Sequence, residues 1–343
     1  MKVLTVLAVL LLSCSQLTYA QTGAEAAKYL GEIGQEYQNI SKESWQYISA
    51  VAKGKNSRKI DKRRQDLSQA IKQAIYRVGR VGAFHGDVSL RDSVVAYLNL
   101  NYKVFNEDYD KILDMEEIAE ESFDNMEAYM TAKERAHDLL DAASERVDAT
   151  RTEFAGKYNV NLIEGDESRL SQKLSRANKA FKYYNQHYLI FFKTYKQDAY
   201  VVAAMNSGDV SAMEQNNRTL LKFAEESREQ LQSVNRYGSD GALKVANIQV
   251  QEYYKRQAEQ YMPTIIDFYL KKEKFDKMKA SIDNKKPKDR TKEEVAAFNK
   301  AIEEYNGGIK EFNRALESLN KARSQALENW NRAVDSFLQR QAA

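Results

Sequence analysis

Only two prolines, Pro263 and Pro287, and fourteen glycines punctuate a chain of 343 residues. Tight turns draw on these residues, glycine for its positive φ and proline for its fixed φ. A chain this poor in both can make few turns. Its apolar side chains must therefore be buried by long helices joined by few loops. The apolar spacing agrees. Phe312, Leu316, Leu319, Ala322, Ala326, Trp330, Ala333 and Phe337 fall on one helical face, as do Phe181, Tyr184, Tyr188, Phe191, Tyr195 and Val202. Stripes of that period bury a helix against its neighbours.

The pattern predicts helices over 24–53, 57–81, 89–129 and 132–157, then over 168–206, 209–236, 242–282 and 291–339. Ser89 can cap the third helix, and Thr291 with Glu294 forms a capping box for the last. Pro263 should kink or break the seventh helix. The pair Gly307-Gly308 should interrupt the eighth. Long antiparallel helices with short loops make elongated four-helix bundles.

Self-comparison sharpens this into a duplication. Residues 102–128, "YKVFNEDYDKILDMEEIAEESFDNMEA", match 254–280, "YKRQAEQYMPTIIDFYLKKEKFDKMKA", at an offset of 152. The shared residues include Tyr102/Tyr254, Lys103/Lys255, Phe123/Phe275, Asp124/Asp276 and Met126/Met278. Upstream the match continues at 153, with Tyr47/Tyr200, Ala50/Ala203, Ile60/Met213 and Leu67/Leu220. Solenoid repeats have periods of about 20–50 residues; a period near 150 is a whole domain. The expected fold is all-α, two tandem elongated four-helix bundles related by internal duplication. They would cover 21–158 and 168–343, with coiled-coil-like seams and a linker near 158–167.

Residues 1–20 read as a signal peptide. Lys2 supplies a positive start, and the apolar run Val3 to Leu12 is too short to span a bilayer, which takes roughly 20 residues. Two processing readings follow. Thr18-Tyr19-Ala20 resembles an ordinary signal-peptidase site, with cleavage between Ala20 and Gln21. Leu11-Leu12-Ser13-Cys14 resembles a lipobox, in which Cys14 is acylated. Cleavage before Gln21 is the expectation, placing the protein in the periplasm or at the cell surface; acylation would make it an outer-membrane lipoprotein. Cys14 is the only cysteine, so no disulfide can form within the chain and the fold must rest on its core.

Charge is segregated along the chain although its net value is only +3. Lys53 to Arg80 holds ten basic and two acidic residues, and Glu107 to Asp148 holds fifteen acidic and four basic. These segments can pair as bundle neighbours. Alternatively Lys55, Arg58, Lys59, Lys62, Arg63 and Arg64 form a patch for an anionic surface. Nucleic acid is not an expected partner for an exported chain. Membrane association would come through a lipidated Cys14 or this patch.

Motifs for chemistry are absent. His85, His137 and His187 are isolated, so no paired metal-ligand spacing exists. His85 beside Asp87 is the single local His/Asp grouping and reads as a surface loop. Glu116, Glu117, Glu120 and Glu121 share a helix face, but no Glu-x-x-His accompanies them, as a di-iron bundle would require. No nucleophile elbow, P-loop, dinucleotide fingerprint or EF-hand occurs. The expectation is therefore no enzyme and no cofactor.

With a short leader ending in "TYAQ", duplicated helical halves and no catalytic motif, the chain resembles uncharacterised all-helical exported or surface proteins of Gram-negative bacteria. The resemblance is architectural, covers the whole chain, and carries no functional residues. The expected function is a non-enzymatic cell-envelope protein that binds another protein or a cell-surface component. The alternative is a helical sensor or carrier with a small-molecule site between bundle helices.

Overall fold

The computed structural model describes residues 2–54, 56–108, 118–163 and 166–343; for 2–21, 57, 107–108 and 166–168 it describes the backbone alone. The described residues are all-α with no strands. None of their helices is long and apolar enough to cross a membrane. The chain divides into two compact units, residues 1–182 with 338–343, and residues 183–337. The predicted linker at 158–167 coincides with the end of one helix and the start of the next, and Glu164 and Gly165 lie outside the described residues.

In unit 1, helix α1 (Lys2–Ala52) packs on α2 (Ser57–Gly79), α2 on α3 (Ser89–Lys103), and α3 and α1 on α4 (Phe123–Lys157). The core is drawn from one stripe of each. α2 gives Leu67, Ile71, Ala74 and Val78, and α3 gives Leu90, Val94 and Leu98; Ile33 and Ile40 come from α1, and Val147 and Phe154 from α4. These spacings of three, four and seven are the period that keeps one face inward. At one end Tyr29, Phe84, Phe154 and Tyr158 pack ring against ring.

Helix α5 (Asp166–Ser207) contains the division between the units. Unit 2 adds α6 (Val210–Ser233), α7 (Ala242–Arg256), α8 (Met262–Asp283) and α9 (Lys292–Gln341). α6 packs against α7 and α8. Aromatic side chains join α9 to the rest. Trp330 stacks on Phe191 at 4.7 Å and Phe312 on Phe268 at 4.2 Å.

Local geometry recurs 153 positions apart. α3 runs from 89 to 103 and α7 from 242 to 256; each continues into a five-residue π-helical turn, Val104–Asp108 and Gln257–Tyr261. Asn56 caps α2 by accepting from the Lys59 N–H, and Asp209 caps α6 by accepting from the Ala212 N–H. Phe84 and Asp87 exchange backbone hydrogen bonds across a tight turn, as do Tyr237 and Asp240. The Asp87 and Asp240 carboxylates then accept from the N–H of Ser89 and Ala242. Arg91 donates to the Val81 carbonyl and Lys244 to the Val234 carbonyl.

Several sequence expectations are corrected here. The break predicted at 130–131 lies instead at Glu120–Ser122, where the Ser122 hydroxyl accepts from the Asn125 N–H and α4 then runs unbroken. Phe123 thus opens α4, whereas Phe275, its match at 152, sits inside α8. Geometry keeps the 153 register instead, so Asn101 rather than Tyr102 takes the buried position of Tyr254. The predicted helix over 242–282 is interrupted beside Pro263: the π segment Gln257–Tyr261 divides it, and Pro263 stands in the first turn of α8 directly after, where proline is tolerated. Gly307-Gly308 does not break α9. A Cβ on Gly308 would lie 3.4 Å from the Phe268 ring, so glycine here permits a close approach between α8 and α9.

Candidate functional site

The basic patch sits on the first turns of α2. Lys55 lies outside the described residues. Arg58, Lys59 and Lys62 are exposed and have no carboxylate partner among the described residues. Arg63 is exposed and reaches Asp66 at 3.7 Å. Arg64 turns inward. Its guanidinium donates to Asp61 at 2.9 Å and to the Phe105 carbonyl, in the π turn, at 3.4 Å. Cys14, Ala20 and Gln21 fall in α1 where side chains are not described, so neither processing reading bears on this geometry. Glu116 and Glu117 lie outside the described residues, and Glu120 is exposed.

Beside Arg64 opens a groove of about 470 Å³ between α2 and the α3–π segment. Arg64, Ser68 and Lys72 form one wall, spaced four residues apart and therefore on one helix face. Tyr102 and Asn106 form the other. Leu67 and Ile71, fully buried, anchor the α2 wall from behind. The Ser68 hydroxyl donates to Asn106 Oδ1 at 2.6 Å, which fixes the amide orientation. Asn106 Nδ2 is then a buried donor without a partner among the described residues. π-helical turns carry one residue more than an α turn and re-aim the side chains around them. Here the turn brings Asn106 onto the groove wall.

Unit 2 has a different feature, a polar stripe through its core. Asn247, Gln251 and Gln257 occupy the positions 153 residues on from Val94, Leu98 and Val104, and all six are buried. Asn247 donates to the His187 carbonyl at 2.8 Å, and Gln251 donates to Asn247 Oδ1 at 3.0 Å. Gln257 accepts from the Tyr253 hydroxyl and donates to Asp198 at 2.5 Å. Asp198 in turn accepts two bonds from Arg323, both at 2.9 Å. That bidentate geometry is the strong form of a charge pair. Polar atoms without partners among the described residues include both ring nitrogens of His187, Gln251 Oε1 and the Tyr254 hydroxyl.

His187 is wholly buried, and burial pushes its pKa down to about 4, with nearby Lys244 adding to the shift. The folded state therefore holds His187 neutral. As pH falls, the unfolded chain takes up this proton first, from about pH 6.5. The stability is complete above pH 6.5 and is lost as pH drops towards 4. The loss amounts to about 3 kcal/mol. Urea unfolding at pH 7 and pH 4.5 should show wild-type protein losing about 2–3 kcal/mol more than His187→Gln between those pH values. Equal losses would place the ring in water.

The His85/Asp87 grouping has a structural task. Asp87 accepts from Lys157 at 2.7 Å, from Ser89 and from the Tyr158 hydroxyl at 3.1 Å, and the Lys157 bond leads in holding its carboxyl well below the usual range. His85 is half exposed at φ 48° and approaches Glu25 at 3.4 Å. No group of three or more His, Cys, Asp or Glu among the described residues is arranged to hold a metal.

Sequence reasoning found the cationic turns of α2 but not the groove. The signal was there for one wall, since Ser68 and Lys72 follow Arg64 at four and eight residues. The other wall depends on the π turn, which no local pattern marks. The polar stripe was visible only as Asn247, Gln251 and Gln257 interrupting an otherwise apolar face. Compared with protein-family models, characterised proteins and solved structures, the chain matches none.

Proposed function

We propose that the chain is an exported, non-enzymatic helical binding protein, made of two four-helix bundles that arose by duplication. It engages a protein or cell-envelope component of anionic character through the basic face of unit 1. The observation carrying this reading is the run of exposed cations Arg58, Lys59 and Lys62, which lack carboxylate partners among the described residues and lead into the groove at Arg64. Duplication is supported by caps, tight turns and π turns that recur at one spacing, 153, although the residues forming them differ. Export is supported by the leader at residues 1–20. The mature N-terminus tests it: cleavage gives Gln21, acylation gives a diacylglyceryl Cys14, and an intact Met1 overturns it.

Binding to vesicles containing phosphatidylglycerol tests the basic face. Each cation at an anionic surface contributes about 1 kcal/mol. Replacing Arg58, Lys59 and Lys62 by glutamate should therefore weaken binding by about 100-fold or more. It should also flatten the salt dependence, because fewer counter-ions are exchanged. Wild-type protein that sediments equally with anionic and zwitterionic vesicles would remove this reading.

A second reading, a carrier holding a small ligand between helices, is favoured by the unpartnered polar atoms around His187 and Gln251. Native mass spectrometry of protein purified gently from its source tests it. A bound mass lost on His187→Phe with Gln251→Leu supports it, and a bare polypeptide mass removes it.

A further inference from the structure

We infer that the α2–π groove of unit 1 is a subsite for a phosphate group, and that its counterpart in unit 2 has been closed by an internal ion pair. The inference rests on the binding-protein reading and deepens it by naming the chemistry taken up.

Corresponding positions of the two units lie 153 residues apart. Arg64 corresponds to Asn217, and both side chains donate to the carbonyl at the same place in the π turn, Phe105 or Ala258. The two walls are therefore built alike. What they carry differs. In unit 2, Lys255 on α7 reaches across to Glu225 on α6 at 2.9 Å and along its own helix towards Glu259 at 3.6 Å. Its cation is neutralised by carboxylates on both sides. In unit 1 the positions of Glu225, Lys255 and Glu259 hold Lys72, Tyr102 and Asn106. Both carboxylates are gone, and a cation stands where one of them would be. Lys72 has no carboxylate partner among the described residues.

The groove groups of unit 1 are mostly donors. Lys72 brings an ammonium, Asn106 an amide N–H without a partner among the described residues, and Tyr102 a hydroxyl, while the Arg64 guanidinium, already held by Asp61 and the Phe105 carbonyl, borders the groove. A carboxylate offers two oxygens in one plane. A phosphate offers three or four in a tetrahedron, and it can be met from two walls at once. A lysine charge flanked by amide and hydroxyl donors suits that shape. The groove volume, about 470 Å³, admits a phosphate together with the group that carries it. The phosphate comes either from a lipid headgroup or from free phosphate in solution, and both present the same oxygens.

The test writes unit 2's solution into unit 1. Lys72→Glu with Tyr102→Lys recreates the Glu225–Lys255 pair and should close the groove without unfolding the bundle. Two probes are titrated, inorganic phosphate by calorimetry and phosphatidylglycerol vesicles by sedimentation. Wild-type protein is expected to bind at least one of them, and the double variant at least tenfold more weakly, with unchanged far-ultraviolet circular dichroism. Loss with inorganic phosphate assigns the free anion; loss with vesicles alone assigns the headgroup. If the double variant misfolds, the exposed single change Lys72→Gln is used, with a several-fold weakening expected. Unchanged binding in a folded variant overturns the proposal, as does a wild type that binds neither probe. If the α2 glutamate variant loses vesicle binding while the groove variant keeps it, the groove proposal fails and the broader reading stands.

Discussion

Replacing Asp198 by alanine is expected to destabilise unit 2 by about 3–5 kcal/mol. Asp198 is 5% exposed and accepts two bonds from Arg323 and one from Gln257. Its removal leaves a largely buried guanidinium without its counter-charge and Gln257 without an acceptor. Neither can recover water without opening the core. The loss is thus the desolvation of Arg323 more than the worth of the pair itself. A double change, Asp198→Leu with Arg323→Met, separates the two. It removes both charges together and should cost far less than either single change, since apolar replacement of a buried pair is often neutral. Denaturant unfolding of the three variants reads this directly. If Asp198→Ala costs under 1 kcal/mol, the pair is solvated and the polar stripe does not hold the core.

Trp330→Ala is expected to cost a similar amount, about 3–5 kcal/mol, for a different reason. Trp330 is 2% exposed and lies stacked on Phe191 at an interplanar angle of 14°. It is the largest fully buried side chain described, and it joins α9 to α5. Truncation leaves a cavity that rigid helices cannot collapse into. Trp330→Phe keeps the stack and most of the volume and should lose less than half as much. The second tryptophan, Trp45, lies in α1 and under a Lys173 cation, so a Trp45→Phe background makes the fluorescence report on Trp330 alone. A loss below 1 kcal/mol for Trp330→Ala would mean that α9 is not tied to unit 2 through this contact.

How far the sequence could be read follows the physics of each feature. Helix content was legible because it depends on local period and on the lack of turn residues. The stripe through Trp330 and Phe337 and the capping box at Thr291 and Glu294 both read off correctly, and the box forms, with Thr291 and Glu294 exchanging side-chain-to-backbone bonds. Breaks were less legible. Glycine lowers helix propensity by about 1 kcal/mol, which a packed face can outweigh, and α9 passes through Gly307-Gly308 on that account. Ser122 breaks the chain with no glycine or proline nearby, because a hydroxyl cap suffices. Sequence identity followed 153 upstream and shifted to 152 over residues 102–128, where geometry keeps 153 through the π turns; the Tyr-Lys match at 102–103 and 254–255 lies one residue off that register.

The candidate site was half visible. Exposed cations are obvious in a sequence, so Arg58, Lys59 and Lys62 stood out. Their neighbour Arg64 did not differ from them by pattern, yet it serves the π turn. The groove arises from contacts between residues far apart in the chain, Ser68 with Asn106 at 38 positions and Arg64 with Phe105 at 41, and such contacts have no local signature.

The account turns on unit 1 holding an anion where unit 2 holds its own ion pair. Backbone amide chemical-shift mapping of the full chain, titrated with inorganic phosphate, tests this most directly. The account predicts saturable shifts confined to residues 64–72 and 102–106, with none at 217–225 or 255–259. Equal shifts in both segments, or shifts scattered over the surface lysines without saturation, would contradict it.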